Sequence, residues 1–428
     1  MPASPYPDLA ACATISRRLG YGHPLPDFTV FDTLHMLRYA LFLICSAMIG
    51  GIHAAPIVPS PPQIAAEAYL LMDADSGAIL VEHEADTQRP PASLTKLMTS
   101  YVLALEIDSG RLSRSDMVTV SENAWSANRK FQGSSLMFIE PRVPVSVDDL
   151  EKGIVISSGN DATVAIAEHI AGSEGAFAEM MNAHAESLGM SNSHFVNSHG
   201  LDDRGQAVSA RDLAILAQAI IQRFPEHYAI YKERSFQYGV DPRGNPLDPQ
   251  RNRNPLLGID SSVDGLKTGY TDEAGWCLVA SAERNDMRLI SVVLGSGSNR
   301  ARREGSSSLL NYGFRFFETR TLLEDGEALD KPRIWQGAVD YVGIGAGEDA
   351  VLTLPRGRVK QVQREMLLTE PLLAPLAAGD AVGEIVLTLD GDVIHREPLV
   401  ALEAVDAGGF FARLWDMVLM WVAKLFSA

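Results

Sequence analysis

The chain has 428 residues, 46% of them hydrophobic, and its 54 acidic against 36 basic side chains give a net charge of −18. That length accommodates two or three globular domains with packed cores, and an acidic chain without a basic run excludes a nucleic-acid binder. No Cys-x-x-Cys or His-Glu-x-x-His string occurs, so neither a metal nor a cofactor is expected.

In chain order, Arg38 precedes an apolar run over 39–52 and small residues follow around Ala54. Residues 36–54 therefore read as a Sec-type signal peptide, with Met36 as the start and 1–35 as a misassigned or dispensable extension. The run is short of the ~20 apolar residues that a membrane span needs. Cys12 and Cys45 lie in this region, which leaves Cys277 as the only cysteine of the processed chain and a buried thiol. A proline-rich linker at 56–62 leads to a hairpin at 68–73 and 78–82, turned by Asp75-Ser76-Gly77. Helical spacing predicts helices at 94–107, 147–157, 162–171, 176–188 and 210–223, and strands return at 276–282 and 289–294. The order is that of an α+β domain over about 60–318, an antiparallel sheet covered by helices.

After residue 319 the pattern changes to short alternating runs at 340–344, 350–354, 359–362, 381–389 and 393–400, with Asp390-Gly391 as a hairpin turn. A small all-β domain over 319–405 is expected, and it holds no catalytic constellation. Residues 409–428 put Phe410, Phe411, Leu414, Trp415, Val418, Trp421 and Val422 against a narrow stripe of Arg413, Asp416, Lys424 and Ser427. That is an amphipathic helix suited to lie in a membrane interface, not to cross it.

Three strings carry the chemistry: Ser93-Leu94-Thr95-Lys96, Ser158-Gly159-Asn160 and Lys267-Thr268-Gly269. Ser-x-x-Lys alone arises by composition about once or twice in a chain this long, so it is the ordered set that counts. A serine hydroxyl needs a base within hydrogen-bond reach to become a nucleophile. Ser93 and Lys96 are one helical turn apart, so Lys96 reaches Ser93. A lysine works as a base near neutral pH only if burial or another cation lowers its pKa, and Lys267 is the candidate cation. Pro90 and Pro91 start the helix just ahead of Ser93, whose first-turn N–H groups then face any oxyanion that forms. Ser158 sits in a turn where a second hydroxyl aims inward. Lys267-Thr268-Gly269 opens an edge strand in which Gly269 allows close approach of substrate. The chemistry implied is acyl transfer through an acyl-enzyme on Ser93.

With Gly133-Ser134-Ser135-Leu136-Met137-Phe138, His199-Gly200-Leu201-Asp202 and Tyr312-Gly313-Phe314-Arg315-Phe316-Phe317-Glu318, these strings resemble the low-molecular-mass penicillin-binding proteins, the serine D-alanyl-D-alanine carboxypeptidases of bacterial walls. The resemblance runs from about Ala66 to the C-terminus. It implies a transpeptidase- and β-lactamase-like catalytic domain, a peptidoglycan pentapeptide substrate, inhibition by β-lactams, and a place on the periplasmic face of the inner membrane. It also implies Ser93 as nucleophile, Lys96 as its base, and Ser158 as a proton relay between the lysines and the leaving D-alanine. Asn160 would hold a substrate amide, Lys267 and Thr268 the terminal carboxylate region, and the N–H groups of Ser93 and Tyr270 the oxyanion. Arg302 and Arg251 would meet the carboxylate, in segments with competing arginines such as Arg253. His199 is read as a loop residue beside the site, since a lysine already supplies the base. Tyr270 stands where some relatives carry histidine or threonine. Alternatives are a D,D-endopeptidase, an inactive β-lactam-sensing or wall-binding module, and a class A β-lactamase. Against the last, no Glu-x-x-x-Asn string lies between Ser158 and Lys267.

Overall fold

A five-stranded antiparallel sheet organises the larger part of the chain: β1 (Ala68–Asp73), β2 (Ile79–His83), β3 (Val263–Thr271), β4 (Gly275–Arg284) and β5 (Met287–Ser296), in the order β2-β1-β5-β4-β3. The computed structural model describes residues 58–240 and 243–426, so the segments read as a signal peptide, 36–54, and as an extension, 1–35, lie outside the described residues. Every residue of β1 is buried because its alternating side chains feed two cores. Ala68, Leu70 and Met72 enter one, and Tyr69 and Leu71 the other.

The first core is closed by α1 (Thr95–Asp108), α2 (Val147–Lys152), α3 (Asn160–Ala171), α4 (Glu174–Ser187) and α5 (Ala210–Arg223), which contribute residues such as Leu97, Met98, Val164 and Leu213. The second is closed by α6 (Asn299–Phe316) through Leu309, Leu310 and Phe314. Ser146, Ser173, Ser209 and Ser298 cap α2, α4, α5 and α6 by accepting a backbone N–H with their side chains.

Three differences from the sequence reading have physical causes. The helix expected over 147–157 is α2 followed by a wide π-type turn, Gly153–Ser157, that ends with Ser158 at φ +61°. The strand expected to open at Lys267 begins at Val263, and β3 is the sheet edge as expected. Helix α6 has no sequence counterpart because the first half of its buried face is Arg302, Gly305 and Ser306, and large apolar side chains (Leu309, Leu310, Tyr312, Phe314) enter only in its second half. A Cβ on Gly313 would stand 2.5 Å from Leu289, so the helix packs closely because the residue is small.

Behind the sheet, the buried Glu151 of α2 accepts from Arg114 Nε at 2.9 Å and bonds Nδ1 of the buried His227. Burial alone pushes its carboxyl up, but these partners outweigh burial and hold it below the usual carboxylate range. Glu151→Ala strands His227 and Arg114 and should cost about 3–5 kcal/mol. A depressed carboxyl stabilises above its unfolded pKa and loses that contribution as pH falls through the folded one. Thermal melts should therefore find the gap between wild type and variant narrowing in acid; an unchanged Tm at neutral pH would refute the assignment.

Beyond Leu323 lies a second sheet of β6 (Ala328–Asp330), β7 (Ile344–Ala346), β8 (Gln363–Leu368), β9 (Ala381–Leu389) and β10 (Asp392–Ala401), ordered β6-β7-β10-β9-β8 around its own core of Ile344, Ile385, Leu387 and Leu399. Asp390 and Gly391 both have positive φ, as the β9–β10 hairpin turn requires. The strand expected over 359–362 is a 3₁₀ turn, Val359–Gln361, and the one read at 340–344 lies at Ile344–Ala346. Strand β8 was not read from the sequence, because as an edge strand it turns only Met366 and Leu368 partly inward. Last comes α7 (Phe410–Phe426), whose Asp416 accepts from the Gln336 N–H at 2.6 Å and from Arg333 at 3.2 Å. Phe410, Phe411, Trp415 and Trp421 are exposed, and no described helix is long and apolar enough to cross a membrane.

Candidate active site

Ser93 stands in a 3₁₀ turn, Ala92–Leu94, that runs directly into α1. The turn is entered through Ala92 at φ +46°, a left-handed conformation that costs a non-glycine residue on the order of 1 kcal/mol and persists only where its surroundings impose it. Gly200 helps impose it: a Cβ there would stand 1.9 Å from the Ala92 carbonyl oxygen. Gly269 does the same from β3, where a Cβ would meet Pro91 O at 3.0 Å and Leu94 at 3.2 Å. Gly269, which lines the cleft as the expected approach of substrate requires, also leaves its bare Cα against the nucleophile's turn.

Lys96, 1% exposed, directs its Nζ to three oxygens: Asn160 Oδ1 at 2.6 Å, His199 O at 2.6 Å and Ser93 Oγ at 3.1 Å. A neutral amine has two N–H groups and one lone pair. With Asn160 and His199 taking the two N–H groups, the lone pair is aimed at the Ser93 hydroxyl. Burial lowers the Lys96 pKa to about 7, with Asp161 opposing and Arg253 reinforcing the shift. Arg253, which the sequence reading had set among competing arginines, joins Lys267 as a neighbouring cation, the two lysine charges opposing each other in this pocket.

Lys267, 3% exposed, donates to Ser158 Oγ at 2.9 Å and to Thr268 O at 3.2 Å. Burial first, and then the charges of Lys96, Arg253 and Arg302, push its pKa well down. Asn160 also donates to Ser134 Oγ at 2.8 Å, so one of its N–H groups is free for a ligand. Asp161 accepts from the N–H groups of Met137, Phe138 and Ile139 at 2.8 to 3.1 Å and fixes the strip that carries Ser134.

A cleft of about 590 Å³ joins these parts. Ser93, Ser158, Asn160, Thr268, Gly269, Tyr270, Arg251 and Arg302 all line it, and Lys96 and Lys267 lie just behind, bonded to the two serines. Its lining includes Arg253 and no carboxylate, an electrostatic setting suited to an anionic ligand. Arg302 is buried, Arg251 is exposed at the mouth, and the exposed Tyr270 ring rests 4.3 Å from that of Trp276. His199 is buried, and burial and then Lys96 lower its pKa to about 3. Its Nδ1 accepts from Leu201 N–H and its Nε2 lies 3.2 Å from Glu174, which suits a neutral ring that is not the base. Its backbone carbonyl is what serves Lys96. Sequence reasoning missed that carbonyl, Ser134 and Arg253; only the Gly133-Ser134-Ser135 and His199-Gly200 strings signalled their neighbourhoods.

Comparison with known proteins covers most of the chain. Residues 55–298 match the family model for D-alanyl-D-alanine carboxypeptidase, and residues 317–407 that for the C-terminal domain of penicillin-binding protein 5. The chain is 44% identical to the D-alanyl-D-alanine carboxypeptidase DacA of Escherichia coli over 91% of its own length and 97% of the relative's, and 46% identical to DacC of the same organism over 87% and 94%. The crystal structure of penicillin-binding protein 5 from Haemophilus influenzae superposes with a TM-score of 0.75 at 43% identity, covering 81% of this chain and 99% of that one. On a match of more than half its length and on near full-length relatives, the chain belongs to the D-alanyl-D-alanine carboxypeptidase family.

Proposed function

We propose that the protein removes the terminal D-alanine from peptidoglycan pentapeptides through an acyl-enzyme on Ser93. The observation that carries this is the Lys96 amine, held between Asn160 Oδ1 and His199 O with its lone pair on Ser93 and a pKa of about 7. Neutral Lys96 takes the Ser93 proton as Oγ attacks the carbonyl of the penultimate D-alanine. The N–H groups of Ser93 and Tyr270 receive the oxyanion. Ser158 donates its proton to the leaving amine, and Lys267, bonded to Ser158, and Lys96 restore it. Terminal D-alanine departs, and water then hydrolyses the Ser93 ester with the same base. Thr268, Arg302 and Arg251 meet the terminal carboxylate, Arg302 with the Nη2 that its protein bonds leave for the cleft. A β-lactam offers the same amide and carboxylate but its amine stays tethered, so the drug acylates Ser93 and leaves slowly. The test is D-alanine release from a pentapeptide beside covalent labelling by a fluorescent penicillin, in wild type and Ser93→Ala.

The chain works outside the cytoplasm, carried there by the Sec-type sequence at 36–54 and held to the membrane surface by α7. Supporting this, the apolar side of α7 is exposed while Asp416 is tied to the β-rich domain. Such a helix binds by burying its aromatic face at the headgroup boundary. Truncation after Gly409 should release most of the protein from sedimented membranes; equal retention of truncated and full-length protein would rule the anchor out.

A further inference from the structure

Arg302 makes contacts that a mere carboxylate receptor does not need. From the first turn of α6 its Nη1 donates to Gly269 O and Cys277 O, both at 3.0 Å, and its Nε to Asn299 Oδ1 at 3.0 Å. Its guanidinium lies over Trp276 at 4.8 Å, and Trp276 in turn stacks with Tyr270. Gly269 is the register partner of Cys277 and Tyr270 that of Trp276, so one guanidinium braces two adjacent rungs of the β3–β4 ladder.

The carbonyl of Gly269 and the N–H of Tyr270 belong to one peptide plane, and in a trans peptide they point in opposite directions. Successive carbonyls of β3 alternate: Thr268 O is met by Lys267, and Gly269 O by Arg302 beside β4. The Tyr270 N–H therefore points away from β4, off the free edge of the sheet. Charge on the carbonyl end of an amide draws electron density from nitrogen, so the N–H at the other end becomes a stronger donor.

Resting on the carboxypeptidase reading above, we infer that Arg302 is a positioning residue for the oxyanion hole. Through Gly269 O it orients and polarises the peptide whose N–H receives the oxyanion, whether or not the acyl donor carries a carboxylate. Trp276 is its aromatic backstop. Carboxylate capture and carbonyl activation thus depend on the same side chain, through different nitrogens.

The experiment compares wild type with Arg302→Gln on two peptides, one ending in D-alanyl-D-alanine and the other with that terminus as the carboxamide. It adds the infrared band of the ester carbonyl in the acyl-enzyme formed with carbonyl-labelled benzylpenicillin. A residue that only binds carboxylate would leave kcat/KM for the carboxamide and the ester band unchanged, and that result overturns the inference. The expected result is a fall in kcat of about tenfold or more on both peptides, with the band at higher frequency. If wild type cleaves the carboxamide too slowly to measure, the band decides alone. Should Arg302→Gln fail to fold, Asn299→Ala, which frees Nε but keeps the guanidinium, should move the band the same way by less; no movement overturns the proposal. Wild type that takes the label yet releases no D-alanine from the natural terminus would sink the carboxypeptidase reading, while the band would still report on Arg302.

Discussion

Ser93→Ala is expected to abolish both D-alanine release from a pentapeptide and covalent labelling by a fluorescent penicillin. Removal of the nucleophile from a serine acyl-transfer site elsewhere costs about 10⁶-fold in kcat. The other cleft hydroxyl with a lysine behind it, Ser158, is bonded to Lys267, whereas the amine that takes the nucleophile's proton, Lys96, is bonded to Ser93. The variant should fold normally, since the Ser93 hydroxyl is bonded to the Lys96 amine and not to the backbone of its own turn. Labelling that survives in Ser93→Ala would mean that the acyl carrier is another residue. Labelling without release in the wild type would point to an endopeptidase or a penicillin sensor.

Lys96→Arg should have the next largest effect, a loss of about 10²–10⁴-fold in acylation rate. The substitution keeps the positive charge and can still donate to Asn160 Oδ1 and His199 O, but arginine does not give up its proton near neutral pH. Any loss would then belong to the missing lone pair and not to missing charge. The same reasoning fixes the pH profile. Below about pH 7 the Lys96 amine is protonated, so acylation should fall as pH falls, and this acid limb should be missing from what remains in Lys96→Arg. Stopped-flow acylation by penicillin from acid to alkaline pH would measure it. A wild-type profile flat across neutrality would remove Lys96 from the role of base.

How far the sequence discloses all this depends on the kind of signal each part emits. The other sheet strands and α3 to α5 follow from apolar periodicity, because large side chains fill the cores they enter, and the edge position of β3 follows from the glycine-bearing Lys267-Thr268-Gly269 string. Helix α6 does not, since its first two turns bury Arg302, Gly305 and Ser306, and its large apolar side chains begin only at Leu309. In the site, the nucleophile, its lysine and the two partner strings are legible because short fixed spacings encode them. Contributions made by backbone are not: the His199 carbonyl that fixes Lys96, and the Gly269 carbonyl held by Arg302, carry no residue signature. The part that Arg253 plays in lowering the Lys96 pKa was not legible either, because which further cation approaches a buried amine is decided by loops over 150 residues away in the chain.

Burying Lys96 has a thermodynamic consequence beyond catalysis. Moving its pKa from the ordinary 10.5 to about 7 makes the folded state less stable by about 5 kcal/mol at and below neutral pH. The unfolded chain keeps that proton to higher pH, so the deficit shrinks as pH rises between the two values. Lys267, equally buried and shifted the same way, adds to it. Selection for thermal resistance alone would replace both lysines with apolar residues of like volume, and the inert protein would be the hardier one. The cleft is therefore a standing load on the fold, borne by the doubly covered sheet behind it.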